Sequence, residues 1–415
     1  MKFRFRIFLL LLMLTGTACN PFKKTYPESF QCRIINTMSM QRKDAAVSFC
    51  VDTLKKSHPD FNPEAYVVFS EGKEIPSQTI DQNNDGTPDK ILAVHDLSGN
   101  DSIMIAIRYA VDGQRKNVYP KRTQAELSHK TGGKWVGHIY EGGTFRNIQR
   151  LRVPPEHTDH SLFIRYEGPG WESDKVGYRF YLDWRNAIDI YGKKIPDMVL
   201  QNVGQDGFES YHEMSDWGMD ILKVGESLGL GSIGMWIDNR AERVSVTDSI
   251  VCAIVENGPL YSQIQTRYYG WKTGFLSYNL TSDLSIMAGS RITKHDIRIS
   301  GDPPNLCTGI VKHDSTEVFQ MAGEAWSAFA TWGKQSLAED KLGMAVVFHR
   351  DNMIQITEDE YSHVIVLRPK SGRLTYYFLA AWEKEPEGIQ SKDTFTEFLE
   401  NTLIKLDNPL MISDE

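Results

Sequence analysis

Residues 249–286 read SIVCAIVENGPLYSQIQTRYYGWKTGFLSYNLTSDLSI. Three runs stand in this stretch: Ser249 to Glu256, Tyr261 to Tyr269, and Leu276 to Ile286. Each is rich in β-branched and aromatic residues, and Asn, Gly or Pro punctuates the gaps, which is the pattern of strands separated by turns. The same pattern recurs at Ala65–Phe69, Lys90–Val94, Ser161–Tyr166, Gly177–Leu182, Met344–Phe348, Val364–Leu367 and Arg373–Trp382. Helical periodicity is rare. Its clearest case is near the end, where Phe395, Phe398, Leu399, Thr402, Leu403 and Leu406 share one face and Lys392-Asp393 stand near the start. Many short strands with turn signals predict an all-β fold. From residue 116 to about 395 there is no linker and no repeat, a length that exceeds a simple sandwich and suits two large stacked antiparallel sheets. The predicted organisation is a smaller N-terminal β-rich unit at 27–115, then a β-supersandwich domain at 116–415 with a C-terminal helix.

The first residues predict export. Lys2, Arg4 and Arg6 precede the apolar run Ile7–Leu14, and Thr15-Gly-Thr-Ala18 leads to Cys19. This is the three-part layout of a signal peptide over residues 1–18. Its apolar run is too short to span a bilayer, which takes roughly twenty residues. Cys19 is the expected lipid acceptor, with 19–26 as a tether. Lipoprotein signals usually carry Leu three residues before the cysteine, where Gly16 stands here, and Gly16-Thr17-Ala18 would also suit ordinary signal peptidase. Either enzyme would leave Cys19 first. The expected location is the cell envelope, periplasm or outer membrane, with membrane contact through the lipid alone.

With 41% hydrophobic and 24% charged residues, the chain has the composition of a globular protein. Removing the three basic residues of the signal peptide takes the formal net charge from −8 to −11. Nucleic-acid binding depends on clustered positive charge, so that partner class is excluded. Cys32, Cys50, Cys252 and Cys307 remain after Cys19; three pairings are open to them, and buried thiols are an equal alternative.

Three stretches carry chemistry. Asp81, Asn83, Asp85, Thr87 and Asp89 alternate oxygen side chains around Gly86, as a structural calcium loop requires. Leu92 stands where an EF-hand places a bidentate Glu, so the pattern is not an EF-hand, and a polar hairpin turning at Asp85-Gly86 is the other reading. No cofactor is required for the chemistry itself. In the second stretch, Arg179, Tyr181, Asp183 and Arg185 fall on one face of a regular strand, flanked by Trp171 and Trp184, and resemble a sugar-binding cleft: aromatic faces stack on sugar rings and charged groups bind hydroxyls or carboxylates. An ion-pair network between sheets is the competing reading. The third stretch holds Tyr211, His212, Glu213, Asp216, Trp217 and Asp220 ahead of the Gly-rich segment 225–234. His212 is a candidate general base, and on a helix Asp216 and Asp220 would share a face.

The phrases Glu167-Gly-Pro-Gly-Trp-Glu-Ser-Asp, Tyr178-Arg-Phe-Tyr-Leu-Asp, Arg185-Asn-Ala-Ile-Asp-Ile-Tyr-Gly-Lys and Asp216-Trp-Gly-Met-Asp-Ile-Leu-Lys-Val-Gly resemble domain of unknown function 4861. That is a family of exported bacterial proteins frequent in polysaccharide-degrading Bacteroidota. The resemblance implies a galactose-mutarotase-like supersandwich and a setting of pectin or other uronate-rich glycans. It transfers no activity, because one fold hosts many functions. The expected function is carbohydrate-active: a glycoside hydrolase or polysaccharide lyase acting on uronate-containing plant or algal oligosaccharides. For hydrolysis the candidate carboxylates are Asp183, Glu213, Asp216 and Asp220. For elimination the base would be His212 or Tyr211, and Arg179 or Arg185 would neutralise the uronate. The alternative is a non-catalytic glycan-binding lipoprotein using Trp171, Trp184 and Trp217.

Overall fold

The computed structural model describes residues 21–207, 209–314 and 316–414. The signal peptide and Cys19 lie outside these residues. The three runs of the opening stretch form the strands Ser249–Asn257, Tyr261–Thr273 and Leu276–Met287. They are consecutive antiparallel neighbours in a nine-stranded sheet, which continues through Ile292–Ile299, Arg373–Trp382, Lys341–His349, Trp326–Lys334 and Thr316–Ala322. Arg150–Arg152 closes its other edge.

Two five-stranded sheets form the opposing layer. One runs Gly218–Asp220, Ile188–Lys193, Val176–Phe180, Gly170–Ser173, Thr123–Glu126; the other runs Arg240–Arg243, Gly234–Ile237, Leu306–Val311, Ser362–Leu367, Met353–Glu358. A bridge from Ile188 to Gly229 and another from Leu230 to Ile310 join them. Gly229 has a φ of +56°, and a Cβ there would stand 2.1 Å from the Ile188 carbonyl oxygen, so the junction demands glycine. Trp171, Tyr178 and Ile190 of the first sheet and Ile310, Ile365 and Leu367 of the second bury against Leu284, Ile297 and Phe378 of the large sheet. This shared apolar core makes the fold a large antiparallel two-layer supersandwich.

The C-terminal helix spans Lys392–Asp407. Ser391 caps it: its hydroxyl accepts from the Thr394 amide while the Thr394 hydroxyl accepts from the Ser391 amide. Phe395 and Leu399 pack on Trp332, Ala345, Leu379 and Ala381, on the far side of the nine-stranded sheet. Among the described residues no helix is long and apolar enough to cross a membrane.

The N-terminal unit has its own core, including Phe30, Ile34, Val47, Phe61, Ile91 and Ile105, between a three-stranded and a five-stranded sheet. The last strand, Met411–Asp414, pairs with Glu28–Asn36, so the chain returns to this unit after the helix. Arg122 ties Asp44 of the unit to Asp174 of the sandwich, each at 2.6 Å.

One predicted strand is absent. Ser161–Tyr166 is a turn running into the 3₁₀ helix Arg165–Glu167, because Leu162 and Tyr166 hold φ values of +62° and +41° that no strand accommodates. Cys50, Cys252 and Cys307 are free thiols.

Candidate active site

Strand alternation divides the smaller sheet near Arg179 into two faces. Trp171, Tyr178, Phe180 and Ile190 point into the sandwich core. Their neighbours Glu172, Arg179, Asp189, Tyr191, Lys193 and Asp220 occupy the opposite face, and register places Arg179 across from Asp189 and Tyr191 across from Asp220. A face so rich in charge belongs in water, yet these residues are almost completely buried. They are covered by the loops that carry the 3₁₀ helices Arg165–Glu167, Leu200–Asn202 and Ser210–His212: the amides of Val199 and Leu200, for example, donate to Glu172.

Burial of charge requires pairing, and the pairing is dense. The Arg179 guanidinium donates to Asp189 at 2.7 Å, Asp220 at 2.6 Å, the Tyr181 hydroxyl at 2.8 Å and the Tyr211 hydroxyl at 2.8 Å. Arg185 pairs with Asp183 and reaches Asp159 at 2.8 Å and Glu167 at 2.9 Å. The two halves meet at Glu167, which lies 3.7 Å from Arg179. At the other end Asp220 stands 3.3 Å from Nε2 of His212, whose side chain remains 40% exposed. Burial and the neighbouring Asp220 push Asp189 up, to about 7, against the pull of Arg179.

A cleft of about 430 Å³ opens beside this network. Its walls include Lys130, Thr144 and Phe145 from the hairpin Ser128–Val136/Ile139–Asn147, then His160 and Glu167, then the turn 204–207. Asp159 lies next to His160 and is partly exposed. Carboxylate oxygens of Asp159 and Glu167 and a ring nitrogen of His160 lie within 4.8 Å of one another. The two acids are driven apart. Burial pushes Glu167 up, but Arg179, Arg185 and the His160 amide overcome it and hold the carboxyl down at about 2. Partial burial raises Asp159, and the adjacent Glu167 adds to the rise against the pull of Arg185. The backbone here is strained: His160, Leu162, Tyr166 and Glu167 all have φ between +41° and +67°. Non-glycine residues held there cost about 1–3 kcal/mol each and persist where surrounding contacts impose them, commonly at functional sites.

Asp159, His160 and Glu167 are also the group whose geometry could hold a divalent ion among the described residues. Both carboxylates are already engaged by Arg185, so its guanidinium supplies the positive charge a metal would bring.

The structure relocates the sequence-derived candidates. Trp171 is fully buried, with Nε1 donating to Thr293, and stacks on Tyr178; it cannot meet a sugar because it lies on the inner face. Arg179 and Arg185 are saturated by their own carboxylates, which removes both as neutralisers of a substrate. Tyr181 and Tyr211 are buried with their hydroxyls on Arg179, so Tyr181 is withdrawn from a substrate and Tyr211 is not an accessible base. The regular strand ends at Phe180; Asp183 and Arg185 sit in a following turn and meet each other there. Asp183 and Asp220 are buried, while Glu213 and Asp216 are exposed. The helix imagined for Asp216 and Asp220 is instead the strand Gly218–Asp220. Trp217 is half-buried against Tyr191, and Trp184 is 42% exposed. Sequence reasoning missed Asp159, His160 and Glu167 as a group. The available signal was the polar run His157-Thr-Asp-His160 just ahead of the Glu167-Gly-Pro-Gly phrase.

The Asp81–Asp89 stretch is the hairpin loop between Ser77–Ile80 and Lys90–Leu97. Asp81 accepts from the amides of Asp85 and Gly86, Asp85 from Thr87, and Asp89 from Gln82 and Asn83.

A large two-layer β-supersandwich carrying a buried ion network beside a polar cleft is the class of protein this geometry defines. The chain belongs to the family described as "Domain of unknown function (DUF4861)", whose model matches residues 34–412. A comparison with curated proteins gives no match. Among solved structures, it is similar to a protein in the glycosyl hydrolase family 38 from Enterococcus faecalis, at 9% identity and a TM-score of 0.44 over 95% of this chain and 48% of that one. It is also similar to an α-mannosidase from Enterococcus faecalis V583, at 9% identity and a TM-score of 0.44 over 94% of this chain and 47% of that one. The chain thus spans about half the length of the solved structures it matches.

Proposed function

We propose that the protein is an exported, lipid-anchored enzyme that hydrolyses uronate-containing oligosaccharides, with Glu167 as the ionised carboxylate and Asp159 as the proton donor. The observation that carries this reading is the pair itself: two neighbouring carboxyls at a polar cleft, one held down and the other raised. Environments that push paired acids apart are how acid and base roles are assigned in one site, and glycoside hydrolysis uses two such carboxyls. Lys130, Thr144, Gln205 and Asp206 supply hydroxyl-binding groups along the cleft, and Phe145 supplies an apolar face. Elimination is disfavoured at the Asp159–Glu167 pair because the two guanidinium groups beside it, Arg179 and Arg185, are spent within the network. Turnover on a panel of uronate oligosaccharides tests the proposal. New reducing ends are expected, without a rise in ultraviolet absorbance. A rise would indicate elimination, and binding without turnover would favour the glycan-binding lipoprotein, which the exposed Trp184 also suits.

Attachment through Cys19 belongs to the same proposal. The mature protein is expected to partition into detergent, and Cys19→Ala to release it; a wild type already soluble in the periplasm or medium would sink the anchor.

A structural calcium ion at Asp81, Asn83, Asp85, Thr87 and Asp89 is likewise proposed. The loop leaves Asp85 Oδ2 and Asp89 Oδ1 outside its own hydrogen bonds. An ion binding only the folded state adds about 2.7 kcal/mol at a hundredfold excess over Kd, so calcium should raise the melting temperature by several degrees. Identical melting curves in calcium and in chelator would dispose of the ion.

A further inference from the structure

The turn Asp183–Asn186 carries one exposed aromatic ring, Trp184, between two residues locked into the ion network. Facing it from the neighbouring sheet is Arg243, at the end of the strand Arg240–Arg243, with its guanidinium carbon 5.1 Å from the Trp184 ring centroid. The pair links a turn of one smaller sheet to the edge strand of the other.

Arg243 differs from Arg179 and Arg185 in one respect. They are saturated with carboxylates, whereas the Arg243 guanidinium makes no hydrogen bond or ion pair among the described residues, and its Nη1 is buried without a partner. A guanidinium withdrawn from water normally has its N–H groups satisfied, and an exception calls for explanation. Burial, with the like charge of Arg185 adding to it, lowers the Arg243 pKa from its ordinary value against Glu226, Asp183 and Asp359, which act on it only through space. Asp359 is engaged elsewhere: its carboxylate accepts the amides of Ala241, Tyr361 and Ser362 and forms no ion pair with Arg243. The indole fixes the guanidinium by cation–π attraction, yet 42% of Trp184 remains open.

An open aromatic ring beside an unpaired, preoriented fork of donors matches one ligand chemistry: a ring with an apolar face that carries a carboxylate. The ring stacks on indole, and the carboxylate takes two parallel N–H bonds from the Nε and Nη2 edge of the fork, the edge that is not buried. We infer that Trp184 and Arg243 form a subsite for the carboxylated sugar unit of the substrate, with Arg243 as the specificity determinant. This rests on the glycan reading above and moves the recognition of charge from Arg179 and Arg185 to Arg243.

Titration of the full-length protein with an oligo-uronate and with its methyl ester tests the inference, since the two probes differ only in the charged group. The wild type should bind the free acid at least tenfold more tightly. Arg243→Gln should abolish that preference while changing ester affinity less than twofold and leaving the melting temperature in place. Arg243→Lys should restore only part of the preference, because an ammonium cannot form the bidentate pair. Trp184→Ala should weaken both probes together. An undiminished acid preference in Arg243→Gln, or wild-type binding that does not discriminate, would overturn the subsite while leaving the glycan reading intact. Failure of both probes to bind, together with no turnover, would overturn the two at once.

Discussion

Arg179→Met will destabilise the folded protein by about 3–5 kcal/mol, the range for removing one member of a buried ion pair. Arg179 is 2% exposed and donates to two buried carboxylates and two buried tyrosine hydroxyls. The methionine would match its stem but leave Asp189 and Asp220 facing each other with no cation between them. The loss should grow with pH. Asp189 is raised to about 7 in the wild type, so its burial is least costly when it is protonated. A raised carboxyl contributes stability that is full below its ordinary value near 4 and is lost as pH rises through about 7. Without Arg179 opposing the rise, the variant must hold its proton still more tightly, and its urea midpoint should fall further below the wild type's at pH 8 than at pH 5. Equal midpoints at both pH values would mean that the guanidinium does not hold this face together.

Much of the fold could be read before any coordinates. The alternation and turns of residues 249–286 became three consecutive antiparallel strands. The apolar spacing from Phe395 to Leu406 became a capped helix that buries Phe395, Leu399, Thr402 and Leu403. Both signals are local: periodicity sets the element, and turn chemistry sets its ends. The site was legible only in part. Two-residue alternation brought Arg179 near Tyr181, but the partners that saturate Arg179 are Asp189 and Asp220, supplied by two later strands. Whether a guanidinium is free or spent depends on those distant residues, and no spacing rule gives it. Trp171 failed for a related reason. A strand has two faces, and which one is covered by the large sheet is a tertiary fact. His160 and Glu167 enter the site through positive-φ turns, where no repeating pattern exists to be read.

Those two turns lead to the second large effect, on turnover. Glu167→Gln and Asp159→Asn are each expected to slow hydrolysis of an unactivated oligosaccharide by on the order of 10²–10⁴-fold, and their behaviour should then diverge. Glu167 is held at about 2 by Arg179 and Arg185, so it is an anion throughout the working range and cannot be the proton donor. One oxygen of each carboxyl lies within 4.8 Å of the other; on the proposed reading Glu167, the permanent anion of the pair, serves as the nucleophile, and the product should keep its anomeric configuration when followed by NMR. Asp159, raised by burial and by Glu167, must be protonated to act. Activity should therefore fall as pH rises through its elevated pKa, and this alkaline limb should vanish in Asp159→Asn. An aryl glycoside with an acidic leaving group needs no proton donor, so Asp159→Asn should recover most of its rate on that substrate while Glu167→Gln remains inactive on both. Inversion of configuration, or an Asp159→Asn defect of equal size on both substrates, would sink the assignment. Melting temperatures close to the wild type's would establish that chemistry, and not folding, had been lost.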